Sequence, residues 1–152
     1  VTLREVIQRQ LTEATRAGDT LRRDTLRLVW NALYNAEKTA RRPFDDGEVV
    51  DLLAREIKSR RESVEAFRRG GREDLASREE AEIEIIQSFL PPPLDQAALT
   101  AIVDEAIAAS GATSRRDMGK VMGLVMPRVK GRAEGRVVSE LVAQRLAARE
   151  AG

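Results

Sequence analysis

Neither cysteine nor histidine occurs anywhere in the 152 residues. Without Cys there are no thiolate nucleophiles, redox pairs, thiolate metal sites or disulfides. Without His the commonest general base near neutral pH and the commonest metal ligand are missing, and carboxylates, Lys, Ser, Thr and Tyr34 are the only candidate catalytic groups left. Aromatic residues are scarce as well, with one Trp, one Tyr and three Phe. No apolar run approaches the roughly 20 residues that cross a bilayer. Val1 to Gln10 alternates like an amphipathic helix and not like a basic stretch leading into an apolar one. The expectation is a soluble, cytoplasmic protein without membrane contact, cofactor or metal.

Charge of one sign is also lacking overall, because 26 basic residues face 25 acidic ones. The distribution is less even. Between Gly111 and Arg136 stand Arg115, Arg116, Lys120, Arg128, Lys130, Arg132 and Arg136 against only Asp117 and Glu134, a local excess of five positive charges of the kind that marks an anionic partner.

What is plentiful is apolar residues at three- and four-residue spacing, and no segment alternates with period two long enough to be a strand, so the fold class is all-α. A first helix is expected over Leu3 to about Ala17, opened by Thr2 with Glu5 in capping-box spacing and closed at Gly18-Asp19. A second spans about Leu21 to Arg41, with Leu21, Thr25, Leu28, Ala32 and Ala36 on one side. A third follows Asp45-Asp46-Gly47, puts Val49 or Val50, Leu53, Ile57, Val64 and Phe67 on one face, and stops at Gly70-Gly71. A fourth runs from about Glu73 to Phe89, burying Leu75, Ile83, Ile86 and Leu90 with Glu79, Glu80, Glu82 and Glu84 mostly outward. Three consecutive prolines, Pro91 to Pro93, then favour a stiff extended segment. They divide the chain into an N-terminal helical part (1–90), a linker (91–94) and a C-terminal part (95–152) of three shorter helices. Asp95 caps the first of these; Ser114 with Asp117 caps the second, which carries Met118, Val121, Met122, Val125 and Met126 into the core; the last starts near Arg136.

The segment Met118 to Arg136 carries the functional signal. Gly119 and Gly123 lie four apart on one helix face, and a helix-interior Gly costs about 1 kcal/mol relative to Ala. Something must approach that face: another helix of the same part, an RNA backbone or a partner protein. The loop Arg128 to Arg136 alternates base and glycine ahead of a helix N-terminus, a combination suited to phosphate as well as to a plain solvated turn. Elsewhere, Arg60-Arg61 and Arg68-Arg69 make a second basic stretch, read more simply as exposed i,i+4 pairs with nearby Glu. Trp30 and Tyr34, four apart, could stack on a base, but aromatics this scarce read first as core anchors. No Gly/Ser-rich amidase segment with paired Ser and Lys is present, and no P-loop.

The runs Gly70-Gly71-Arg72-Glu73-Asp74-Leu75, Phe89-Leu90-Pro91, Gly111-Ala112, Met118-Gly119-Lys120-Val121-Met122 and Lys130-Gly131-Arg132-Ala133-Glu134-Gly135 together resemble the GatB/YqeY family. They also resemble the C-terminal helical and tail domains of the B subunit of tRNA-dependent amidotransferases. The resemblance implies an antiparallel helical part followed by a three-helix tail domain. In the amidotransferases this region reaches tRNA while kinase and transfer chemistry occur elsewhere; the family's label of carbon–nitrogen ligase with glutamine as amido donor is inherited from that relative. Carried over to this chain, it implies an accessory protein that contacts tRNA through Lys120, Arg128, Lys130, Gly131, Arg132, Gly135 and Arg136, with no catalytic residue of its own. The alternative is docking on an aminoacyl-tRNA synthetase or amidotransferase through Gly119 and Gly123. One departure stands out: Glu134 occupies a position where the family has Asp, the better helix cap.

Overall fold

Residues 1–151 are described by a computed structural model, in which they form seven α-helices, one 3₁₀ turn and no strand. They divide into two compact units, Val1–Pro91 and Pro92 onward, each with a core of its own.

In the first unit, α1 (Leu3–Ala17) opens with a complete capping box, in which Thr2 accepts from the Glu5 N–H and Glu5 accepts from the Thr2 N–H. It ends at Gly18, whose φ of 72° lies in the left-handed region open to glycine at no steric cost. Asp19 caps α2 (Thr20–Ala40), and Asp45 with Glu48 forms a second capping box on α3 (Asp46–Arg69). α3 packs along α4 (Glu73–Gln87). Ile7, Val29, Leu33, Val49, Leu53 and Ile86 meet in the core at 1% exposure or less.

Four side chains depart from the sequence expectation. The buried stripe of α2 is Thr25, Leu26, Val29 and Leu33, which turns Leu28 out to 55% exposure. Tyr34 is likewise outside, at 59%, and is no core anchor; Trp30 does pack against the core, with the Arg4 guanidinium 4.9 Å from its ring centre. On α4 Ala76 takes the deep position beside a half-buried Leu75. Glu82, expected outward, is buried, because Arg60 of α3 reaches across to pair with it and with Glu79 at 3.5 Å. Arg68 likewise pairs with Glu73 and Glu80 of α4. Arg60 and Arg68 therefore tie α3 to α4, and the charges of both are paired with carboxylates.

In the second unit, Asp95 caps α5 (Gln96–Ser110) by accepting from the Ala98 N–H at 2.7 Å. A 3₁₀ turn (Arg115–Asp117) leads into α6 (Met118–Val129), and α7 (Gly135–Ala151) closes the unit. Leu99, Val103, Ile107, Val121, Val125, Val138, Val142 and Leu146 make its core, with Met118, Met122 and Met126 partly buried at its margin. The methionines thus finish the core, as their spacing suggested.

Candidate nucleic-acid interface

α6 has an inward row and an outward row. Val121, Val125 and Val129, four apart, are fully buried and fix the helix's rotation. That rotation puts Gly119, Lys120, Gly123, Leu124, Pro127 and Arg128 on the solvent side. A Cβ added at Gly119 or Gly123 would meet no atom within 4 Å. No helix of the second unit presses on this stripe, so packing within that unit does not account for the two glycines.

Pro127, inside the helix, has no N–H to offer the Gly123 carbonyl one turn back. The outward face therefore combines missing side chains with a carbonyl short of its usual helical donor. Leu124, 44% exposed, adds an apolar patch beside it.

The basic residues are not equivalent. Asp117 accepts from the Thr113 N–H at 3.0 Å, and this bond, aided by Lys120, holds its carboxyl below the usual range. Lys120 itself stays exposed at 4.0 Å from that carboxylate. Arg128 donates to Glu105 of α5 at 2.9 Å in an exposed pair. Arg132 is half-buried and engaged: its Nε donates to the Pro92 carbonyl at 3.2 Å, and its own carbonyl accepts from the Leu94 N–H at 2.9 Å. It buttresses the proline segment. Arg136, in the first turn of α7, is exposed with no ion-pair partner among the described residues, and Arg116 shares that condition. Lys130 is exposed at the C-terminus of α6.

The loop's backbone explains its glycines. Gly131 has φ 73°, a conformation that disfavours any side chain, and it allows the Arg132 and Ala133 amides to turn back onto the Val129 carbonyl. Gly135 opens α7, where an added Cβ would just touch Met126 at 4.0 Å. The Glu134 carbonyl accepts from the Val138 N–H in the first turn of α7. Ser114 caps the 3₁₀ turn, while Asp117 makes no side-chain cap on α6 and its carboxylate accepts from the Thr113 N–H instead. Sequence reasoning found the cations and glycines here; it missed the division of labour between Arg132, Arg128 and the unpaired Arg116 and Arg136, which depends on contacts from α5 and the proline segment.

No helix of the described residues is long and apolar enough to cross a membrane. A family model described as Yqey-like protein matches residues 4–146. The chain is 36% identical over 85 residues to the Altered inheritance of mitochondria protein 41, mitochondrial, of Lachancea thermotolerans, covering 55% of this chain and 46% of that one. Against the protein of the same name in Pyrenophora tritici-repentis it is 32% identical over 83 residues, with the same coverage. An uncharacterized protein of Schizosaccharomyces pombe is 30% identical over 89 residues, 59% of this chain and 72% of that one. The chain thus spans about half the length of the first two relatives.

Proposed function

The chain belongs to the YqeY-like family, and from that premise we propose that its second unit holds RNA, tRNA above all, without performing a reaction of its own. The observation that carries the reading is the open glycine stripe of α6, uncovered by the other helices of the second unit and flanked by the exposed Lys120. A stripe of this kind lets a sugar–phosphate strand approach the helix backbone, and the Gly123 carbonyl is a suitable acceptor for a ribose 2′-hydroxyl. Lys120, Lys130 and Arg136 supply phosphate contacts. Arg128 joins them by exchanging Glu105 for phosphate, an exposed pair being worth at most about 1 kcal/mol. Arg132, Gly131 and Gly135 set the shape of the loop.

A second reading has its own support. Leu124 and Pro127 give the same face an apolar strip, which suits a helix of a partner protein such as a synthetase or amidotransferase. Capture from lysate with and without nuclease separates the two. Loss of every captured species on nuclease treatment favours RNA, and retention of a synthetase or amidotransferase favours the protein partner. Glutaminase activity of the purified chain would overturn the non-catalytic part of the reading.

A further inference from the structure

The first unit carries a cationic cleft that the reading above does not use. At the C-terminal end of α2, Arg4, Tyr34, Glu37, Lys38, Arg41 and Arg42 line a shallow, solvent-open cleft of ≈ 460 Å³. Two of its cations are already neutralised. Arg4 pairs with Glu37 at 3.1 Å, and Arg42 makes a bidentate pair with Glu48, both bonds 2.7 Å. The remaining capacity of Glu37 goes to the Phe44 N–H, which donates to it at 2.7 Å. The carboxylate in the cleft is therefore spoken for from both sides.

Lys38 and Arg41 are different. Both are exposed, and neither has an ion-pair partner among the described residues. Arg41 is also the only non-glycine residue of the described chain with positive φ, at 58°. It occupies the left-handed position that ends a helix, where glycine is the favoured residue; the chain places a long cation there instead. The C-terminus of α2 contributes about half a negative charge, which two unpaired cations outweigh. One turn before Lys38, Tyr34 is 59% exposed.

An exposed aromatic ring beside two unpaired cations suits a planar heterocycle joined to a phosphate. We propose that this cleft binds a single nucleotide unit, its base stacked on Tyr34 and its phosphate held by Lys38 and Arg41. The unit is either a free nucleotide or one position of a single-stranded nucleic acid. The site belongs to the other unit and stands whether or not α6 contacts RNA.

The test uses the full chain and the fluorescence of Trp30, the single tryptophan, whose ring carries the Arg4 guanidinium that lines the cleft. Probes are AMP, a short oligouridylate and inorganic phosphate. Saturable binding of AMP identifies the free nucleotide as a source; binding of the oligonucleotide alone identifies the strand. In either case Tyr34→Ala weakens binding about fivefold or more, as loss of one stacked base does, and Lys38→Gln with Arg41→Gly abolishes it. Arg41→Gly relieves the left-handed backbone, so it melts at or above the parent temperature and its loss of binding cannot be ascribed to unfolding. The proposal is overturned if neither AMP nor oligouridylate binds, if phosphate binds as tightly as AMP, or if Tyr34→Ala leaves binding unchanged. Oligonucleotide binding that ignores Tyr34 but falls with Lys120→Ala and Arg136→Ala would sink this site and leave the α6 reading standing.

Discussion

Replacing Gly119 and Gly123 by alanine separates stability from binding in one experiment. Neither glycine has a positive φ, and an added methyl group at either position meets nothing within 4 Å. Only the helix-propensity gain remains, about 1 kcal/mol at Gly123 in the helix body and roughly half that at Gly119 in the first turn. The sum, about 1.5 kcal/mol, corresponds to an upward shift of roughly 6–12 °C in the melting of a domain this small. The assay is a thermal melt followed by circular dichroism, paired with a tRNA titration of the same protein. The account expects the melting temperature to rise while tRNA affinity falls, because two methyl groups now stand where the strand approaches. A fall in melting temperature would show that the stripe is packed after all. A rise with unchanged affinity would show that the stripe is open but makes no contact.

Two further outcomes concern the first unit. Arg60→Ala leaves the buried Glu82 with only the longer Arg78 contact at 3.6 Å, and chemical denaturation should show a loss of about 3 kcal/mol; a loss within error of zero would mean the α3–α4 pairing is not a structural tie. Glu79 has its carboxyl raised, first by burial and then by the charge of Glu82, so the folded state holds its proton more tightly than the unfolded chain and its ionisation costs stability as pH rises from the ordinary glutamate value through the raised one. The melting-temperature advantage of Glu79→Gln over the parent should therefore be largest near neutrality and shrink as pH falls toward 4, and an advantage that grows on acidification would contradict the assignment.

Most of the fold could be read from the chain because its signals are local. Thr2 with Glu5, Asp45 with Glu48, Asp95, Gly18 and Gly111 fix helix ends through bonds within one turn, and such bonds need no tertiary context. The misread side chains are those whose fate depends on another helix. Leu28 and Tyr34 fall outside because the α2 stripe centred on Leu26, Val29 and Leu33 is the one that meets the core, a choice between two adjacent apolar stripes that periodicity alone does not make. Glu82 goes in because Arg60, one helix away, supplies its counter-charge. The same limit applies at the candidate interface. The density of base and glycine between Met118 and Arg136 is visible in the sequence, whereas the binding of Arg132 to Pro92 and of Arg128 to Glu105 is not. The Lys38–Arg41 cleft escaped notice for a further reason: an arginine in a left-handed helix cap leaves no compositional trace.

The most direct test of the central claim is the salt dependence of tRNA affinity for the full chain and for the Lys120→Ala, Arg136→Ala double variant. If the second unit grips the phosphate backbone, log K falls linearly with log salt, and the variant's slope is shallower by roughly one for each contact removed. Affinity that does not depend on salt, or a slope that the double variant leaves unchanged, would contradict it.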